Sequence, residues 1–300
     1  MAFSCTGIIT ALITPFCDGV IDDAALRRLI ERQIAAGVHG LCVGGTTGEA
    51  AALDDTQMDR IYRIALETAA GRVPVIAGCG SNDTAHAVRL AHLAQVAGAD
   101  AALVVTPYYN RPTQEGVFRH YAAIHDSCAL PLILYNVPGR TALNMDMDTQ
   151  TRLVALPRVV GIKDAGGDIA RIARTRLSCG PCFLQYTGED AFMLPALIQG
   201  AHGVISVVSN IAPELCVRLF DAVQANENAT ARRLSEDLLP LIDALFCETS
   251  PGPAKYAGAR IKICRNELRL PLVPVAWESE RRIDGALAAL GLVEPARACA

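Results

Sequence analysis

Eight short apolar runs recur along this sequence of 300 residues, with longer amphipathic stretches between them. Each run is almost continuously apolar, which is typical of strands that are buried on both faces of a parallel sheet. The runs lie at Gly7 to Thr14, Gly40 to Gly45, Pro74 to Cys79, Ala101 to Thr106, Pro131 to Asn136, Arg158 to Lys163, Phe183 to Gly188 and His202 to Val207. The pattern therefore predicts an α/β protein with a parallel sheet.

The stretches between the runs have the spacing of amphipathic helices. From Asp22 to Ala36 and from Thr84 to Ala97, apolar residues recur every three or four positions, which gives each helix one apolar face. Acidic pairs at Asp22–Asp23 and Asp54–Asp55 are typical of helix starts. Eight strands with right-handed helical crossovers close most simply into a (β/α)8 TIM barrel, over roughly residues 1–225. An open, doubly wound sheet is the alternative.

The chain after Val207 shows no further strand pattern, and residues 226–300 are predicted to form a C-terminal helical extension. Helices are expected at about Ala229 to Phe246, Pro253 to Arg265 and Val275 to Leu290. Pro240 falls inside the first of them, where the missing N–H removes a helical hydrogen bond. We therefore expect this helix to kink or divide there, and we expect the barrel to carry the active site.

The composition excludes several classes of protein. With 51% hydrophobic and 19% charged residues, the chain has more apolar material than a disordered segment. Its net charge of −4 does not suit a nucleic-acid-binding surface, which needs concentrated positive charge. Gly, Pro or a charge interrupts every apolar run before it reaches the ~20 residues of a membrane-spanning helix. Small molecules are therefore the expected partners, with no nucleic acid and no membrane.

The amino terminus and the cysteines both predict a cytoplasmic protein. Met1 to Phe16 is apolar, but the first basic residue is Arg27, so the charged region that begins a signal peptide is missing. The 11 cysteines are odd in number and lie scattered in apolar stretches, as reduced thiols of the cytosol do. A disulfide framework is therefore not expected.

Two features imitate functional motifs. Cys179-Gly180-Pro181-Cys182 has the spacing of a redox C-x-x-C motif, but a helix is predicted before it and a strand after it, the reverse of the order that redox use requires. We interpret it as a turn between helix and strand. The histidines lack the spacing of a metal site, and no nucleotide-binding glycine motif occurs, so neither a metal nor a cofactor is expected.

Lys163 is the sharpest single signal, because it ends an apolar strand. Only three of the 27 basic residues are lysines, so the chain meets its surface-charge needs almost entirely with arginine. An ammonium that leaves water loses its proton more readily, which supplies the neutral amine that attacks a carbonyl. Arginine cannot replace it, since it stays protonated. The alternative is an ion pair with Asp164 or another carboxylate.

Other candidates lie after neighbouring strands, where the catalytic groups of a barrel collect. Tyr135 has a phenol that can move protons, or it is ordinary core. The turn Thr46-Thr47-Gly48-Glu49 has capping-box spacing and can hold a carboxylate at a helix start, or it is only a cap. Arg140 can bind a substrate carboxylate with two hydrogen bonds, or it is a solvated loop charge. Gly188 leaves space beside the site because it has no side chain, or it is an ordinary turn glycine.

Five ordered motifs together resemble one family over nearly the whole chain. They are Gly45-Thr46-Thr47-Gly48-Glu49, Thr106 to Pro112, Tyr135 to Thr141, Gly161-Ile162-Lys163-Asp164 and Gly203-Val204-Ile205-Ser206. The family is that of the dihydrodipicolinate synthases, pyruvate-dependent class I aldolases that include N-acetylneuraminate lyase. The resemblance implies a barrel with C-terminal helices, which condenses pyruvate with L-aspartate 4-semialdehyde in lysine and diaminopimelate biosynthesis, in a homotetramer built from tight dimers.

The resemblance also implies roles for single residues. Lys163 would form the Schiff base with pyruvate, without any cofactor, and Tyr135 would donate and accept protons. Thr46 would link Tyr135 to Tyr109, which reaches across the tight dimer interface. The substrate-binding residues would be Thr47 and Ile205 for pyruvate, Arg140 for the aldehyde's carboxylate and Gly188 to leave room for the adduct.

The sequence does not fix the aldehyde substrate. A related aldolase, or a lyase acting on a 2-keto-3-deoxy sugar acid, is therefore the alternative within this chemistry. Outside this chemistry, the alternative is a silent barrel that binds a keto acid. Lysine-inhibited members of the family use polar groups in a pocket where this chain keeps Asn82 and Tyr108 but differs at other positions. Those positions are Ala50, Asp55, Met58 and His86. Feedback inhibition by lysine is therefore not expected.

Overall fold

A closed barrel of eight parallel strands forms the body of the computed structural model, which describes residues 3–294. The chain's strands are β1 (Gly7–Ala11), β2 (Phe16–Cys17), β3 (Val20–Ile21), β4 (Gly40–Val43), β5 (Val75–Gly78), β6 (Ala101–Val105), β7 (Leu132–Asn136), β8 (Val159–Asp164), β9 (Leu184–Thr187) and β10 (Gly203–Ser206). β1 pairs with both β4 and β10, which closes the ring. β2 and β3 form a separate antiparallel pair.

Helices connect the barrel strands and then continue beyond the last of them. They are α1 (Asp23–Ala35), α2 (Asp55–Ala69), α3 (Thr84–Ala97), α4 (Gln114–Ser127), α5 (Pro138–Thr141), α6 (Met147–Val154), α7 (Arg171–Cys179), α8 (Met193–Ile198), α9 (Pro213–Gln224), α10 (Asn228–Leu245), α11 (Gly252–Arg260) and α12 (Trp277–Ala289). Short 3-10 turns follow several strands, among them Thr46–Gly48 after β4. The predicted TIM barrel with C-terminal helices is confirmed, and the open sheet is wrong.

Seven of the eight barrel strands lie within their predicted apolar runs, and β8 extends one residue further, to Asp164. The runs are apolar because each strand is covered on both sides. Side chains alternate along a strand, so one set packs inside the barrel and the other packs under the helices. Ile9, Leu103, Ile133 and Ile205 belong to the inner set. The β2–β3 hairpin is not predicted by the sequence, since two residues per strand are too few to show a pattern.

The predicted helix starts are confirmed at both acidic pairs. The Asp22 carboxylate accepts a hydrogen bond from the backbone N–H of Ala25 at 2.9 Å. Asp54 forms a capping box with Gln57, in which each side chain accepts from the other's backbone N–H. These bonds satisfy donors that the first turn of a helix leaves free.

The predicted division of the first C-terminal helix at Pro240 is wrong. α10 runs without interruption from Asn228 to Leu245. Pro240 and Glu236, whose carbonyl loses its helical partner, are both exposed. Water can therefore replace the hydrogen bond that proline cannot form. α11 ends at Arg260, five residues before its predicted end at Arg265.

The C-x-x-C segment is the predicted turn. α7 ends at Cys179, and β9 begins at Leu184 after the turn that contains Cys182. All ten cysteines that fall within residues 3–294 are free thiols, and Cys299 lies outside the described residues. Across the same part of the chain, the helices are too short or too polar for any of them to span a bilayer.

Candidate active site

The carboxyl ends of β7 and β8 bring Tyr135 and Lys163 side by side. The two residues are direct partners in the register of these parallel strands. The Nζ atom of Lys163 lies 4.3 Å from the centroid of the Tyr135 ring. Lys163 is 6% exposed and Tyr135 is 7% exposed, so the amine and the phenol are both buried next to each other inside the barrel.

Asp164 does not engage Lys163, although it follows directly in sequence. Successive side chains of a strand point to opposite faces, and the Asp164 carboxylate pairs with the Nε atom of Arg171 at 2.9 Å. It also accepts hydrogen bonds from the Asn136 side-chain amide at 2.9 Å and the Gly166 N–H at 2.8 Å. Lys163 is thus left to face the barrel interior, which removes the ion-pair alternative with its neighbour.

A cavity of about 540 Å³ opens above Lys163. Its lining includes Thr46, Thr47, Tyr135, Arg140 and Lys163, five of the predicted site residues. The C-terminal extension supplies part of the wall through Thr249, Ser250, Pro271 and Leu272. The cavity therefore combines hydroxyl groups, the amine of Lys163 and the guanidinium groups of Arg140 and Arg269.

Gly188 borders Lys163, and Ile205 lies in the inner layer of the barrel. A Cβ atom on Gly188 would lie 2.7 Å from Cε of Lys163 and 3.0 Å from Cβ of Ala165. Glycine is therefore required at this position if the lysine side chain is to keep its course. Ile205, on β10, is fully buried in the inner layer that also contains Tyr135.

The threonine turn after β4 is not the capping box that its spacing suggests. Thr46–Gly48 is a 3-10 turn without a side-chain cap, and Glu49 follows in the left-handed conformation with a φ of 56°. The Glu49 carboxylate turns away from Thr46 and pairs with Lys255 of α11. The buried ammonium competes successfully for this carboxylate because an unpaired charge there would be costly.

The hydroxyls of Thr46 and Tyr135 line the same cavity. Within residues 3–294 of the single chain, these two hydroxyls form no direct hydrogen bond with each other. Thr46 is exposed, whereas Thr47 is buried. Of the two threonines that line the cavity, Thr46 is thus accessible to solvent and Thr47 is not.

Arg140 lies at the cavity wall in the short helix α5, which begins with Pro138. Its Nη2 atom donates a hydrogen bond to the carbonyl oxygen of Ser250 at 3.3 Å. This long contact leaves most of the guanidinium donors free in an exposed position. Arg140 is therefore available to a carboxylate that enters the cavity.

Three predicted residues, Tyr109, Gly188 and Ile205, are not part of the cavity lining, and of these Tyr109 is exposed on the surface of the single chain. Its side chain is 90% exposed, and its backbone is left-handed, with a φ of 69°. Two residues further, Arg111 has a φ of 45°. Left-handed conformations cost non-glycine residues about 1 kcal/mol each, and the Asn110 side chain between these two residues anchors the loop by donating to the Asn82 carbonyl at 2.8 Å.

Burial changes the pKa values of ionisable groups around Lys163. Desolvation raises the pKa of Cys42 to about 11, and the Lys163 charge only partly opposes it, so this thiol stays protonated at neutral pH. Desolvation and the neighbouring Asp190 raise the pKa of Glu189, against the opposing charges of Lys163 and Arg140. Lys163 therefore has no thiolate beside it to compete as nucleophile.

Comparison with known proteins identifies the family. The family model described as the dihydrodipicolinate synthetase family matches residues 4–290. The chain belongs to the dihydrodipicolinate synthetase family. The resemblance predicted from the five sequence motifs is thereby confirmed.

Relatives in the dihydrodipicolinate synthetase family match along almost their entire length. The chain is 49% identical to the 4-hydroxy-tetrahydrodipicolinate synthase of Rhodospirillum centenum, over 96% of this chain and 99% of the relative. A dihydrodipicolinate synthase from Acinetobacter baumannii, solved in complex with pyruvate, superposes with a TM-score of 0.94 at 39% identity, over 97% and 100% of the chains. A dihydrodipicolinate synthase variant described as monomeric has the same TM-score and identity, over 96% and 98%.

Sequence reasoning missed the partnership of Glu49 and Lys255 in this member of the dihydrodipicolinate synthetase family. Both side chains are almost completely buried, 206 positions apart in sequence. One signal was available, since lysine is scarce here and two of its three occurrences, Lys163 and Lys255, are buried. The pairing itself depends on the tertiary fold and leaves no local pattern.

Proposed function

We propose that this chain condenses pyruvate with L-aspartate 4-semialdehyde, the reaction of 4-hydroxy-tetrahydrodipicolinate synthase, through a Schiff base on Lys163. The observation that carries the proposal is the buried Lys163 amine beside the Tyr135 phenol, at the base of a cavity. Family membership and the names of the relatives support the same reaction. The enzyme is a lyase of the class I aldolase type.

The chemistry uses only groups of this chain and its substrates. The Lys163 amine attacks the keto carbon of pyruvate, and loss of water gives a protonated imine that withdraws electrons from the methyl group. Removal of a methyl proton gives an enamine, which forms a carbon–carbon bond with the aldehyde. The amino group of the aldehyde substrate then attacks the imine carbon, which closes the ring and releases Lys163.

The remaining site residues have distinct tasks in this proposal. Tyr135 carries protons to and from the intermediates, because its ring centroid lies 4.3 Å from the amine. Thr47 and Ile205 contact bound pyruvate, and Gly188 leaves room for the adduct. Arg140 binds the carboxylate of the incoming aldehyde with its free donors. The chemistry thus stays on the barrel, residues 1–225, while residues 226–300 contribute to the wall of the cavity.

A second copy of the chain completes the proton path. Tyr109, exposed on a left-handed loop, would reach the site of a neighbour, where Thr46 links its hydroxyl to that of Tyr135. We propose a homotetramer built from such tight dimers. The reduced cysteines and the soluble substrates agree with a cytoplasmic location.

Trapping with borohydride tests the proposal directly. Pyruvate and borohydride are expected to add one reduced pyruvyl group, measured by intact mass, and peptide mapping is expected to place it on Lys163. Lys255 and Lys262 are internal controls, since the chain has only these two other lysines. A folded protein without an adduct would contradict the Schiff base and favour the silent barrel.

Turnover with the aldehyde distinguishes condensation from the alternatives. Product formation from pyruvate and L-aspartate 4-semialdehyde is expected, together with no cleavage of 2-keto-3-deoxy sugar acids. An adduct on Lys163 without condensation would leave another aldehyde as the substrate. The names of the relatives favour the condensation.

A further inference from the structure

A buried ion pair joins the threonine turn of the cavity to the C-terminal helices. Lys255, on α11, and Glu49, directly after the turn, have side-chain exposures of 0% and 1%. Besides the Glu49 carboxylate, the Lys255 ammonium contacts the carbonyl oxygen of Glu267 at 2.7 Å and lies 3.9 Å from the centroid of the Phe16 ring. The ammonium is therefore enclosed by its partners.

The other oxygen of Glu49 is fixed by the same extension. It accepts a hydrogen bond from the backbone N–H of Arg269 at 2.9 Å. The Arg269 side chain donates to the Ala52 carbonyl at 2.8 Å and to the Gln57 side chain at 2.7 Å. The C-terminal segment thus holds both Glu49 and the chain that follows it.

The backbone at Glu49 is strained in this arrangement. Its φ of 56° is unfavourable for a residue with a side chain, by about 1 kcal/mol. Gly48, on the other side, is held through its carbonyl, which accepts from the Thr14 hydroxyl at 2.7 Å. The turn that carries Thr46 and Thr47 is therefore fixed at its end by the barrel and by α11 together.

Stability alone does not account for this pair. A buried ion pair is often no more stabilising than apolar residues of the same volume, because two charges must leave water. What such a pair does supply is a defined geometry, here at a turn that presents two hydroxyls to the cavity. Strained backbone that the surroundings hold in place is characteristic of functional sites.

We propose that Glu49 and Lys255 are positioning residues, which hold Thr46 and Thr47 in register with Lys163 and make α11 a working part of the active site. The inference rests on the proposed function, in which Thr47 contacts pyruvate and Thr46 belongs to the proton path. The C-terminal extension then does more than cover the cavity, because it fixes the positions of the Thr46 and Thr47 hydroxyls.

The test compares two double variants. In Glu49→Gln/Lys255→Met both buried charges disappear together, so that neither is left unpaired. The matched control is Arg260→Met/Asp284→Asn, which removes an ion pair between α11 and α12 whose side chains are 40% and 25% exposed. Both proteins are characterised by thermal unfolding, steady-state kinetics and the rate of borohydride trapping.

Loss of positioning is expected to raise the KM for pyruvate about tenfold and to lower kcat about tenfold, because both hydroxyls move. The control is expected to stay within about twofold of the wild type. A merely structural role would reduce the amount of folded enzyme, and hence the apparent kcat, while the folded remainder kept its KM. The pyruvate KM therefore separates the two roles.

A pyruvate KM within about twofold of the wild type would overturn the inference. If the double variant does not fold, Glu49→Gln/Lys255→Gln decides, because both side chains are then neutral and the amide at position 49 keeps its shape and an acceptor for Arg269. Its pyruvate KM is expected to rise about threefold, and an unchanged value would again contradict positioning. Failure of the proposed function would be distinguished from failure of this inference, because the wild-type protein would then give no adduct on Lys163.

Discussion

At the scale of single residues, Gly188 shows how one missing atom keeps the amine in place. A Cβ atom there would meet Cε of Lys163 at 2.7 Å, and the flexible lysine would move aside. Gly188→Ala is therefore expected to lower the rate of borohydride trapping about tenfold or more, because Nζ leaves its position, with little change in thermal unfolding. Gly285→Ala, at a glycine on α12 with nothing within 4 Å, is the control. Equal trapping rates in the two variants would disprove the requirement for space at Gly188.

The sequence predicts some residues of the site but not others. Lys163, Tyr135 and Arg140 are predictable because each lies at the end of a recognisable strand or just after it, and barrels collect catalytic groups there. Glu49 is not, since its spacing from Thr46 imitates a capping box while its true partner is far away in sequence. The contacts proposed for Tyr109 are equally hidden, because they would lie in a second copy of the chain.

At the scale of elements, local signals predict the starts of helices better than their continuation. Asp22 and Asp54 cap α1 and α2 as expected, because a cap needs only neighbouring residues. The continuity of α10 through Pro240 depends instead on the exposure of one helix face. The barrel strands are predictable for a related reason, since burial on both faces leaves an apolar run in each.

The elements α2 and α3 also bear on inhibition by lysine. The Asp55 carboxylate pairs with the Nε2 atom of His86 at 2.9 Å, and Met58 is buried in the core. Asp55 and His86 are thus engaged with each other and Met58 with the core, so these three side chains offer a free lysine little new to bind. Millimolar lysine is expected to leave the condensation rate nearly unchanged in a steady-state assay. Strong inhibition would show that the pocket binds lysine despite these differences.

At the scale of the whole molecule, the exposure of Tyr109 predicts that activity depends on association. A side chain that is 90% exposed on a strained loop needs a neighbouring copy before its hydroxyl can join the proton path. Tyr109→Phe is expected to lower kcat about a hundredfold while the sedimentation coefficient stays unchanged. Tyr256→Phe, on α11, is the matched control and is expected to keep its kcat.

Dilution tests the same dependence without any substitution. As the protein is diluted, specific activity is expected to fall in parallel with the fraction of dimer measured by sedimentation velocity, because each monomer lacks its neighbour's tyrosine. A monomer with full activity would disprove the shared site. It would also leave the strained conformation at Tyr109 and Arg111 without a function.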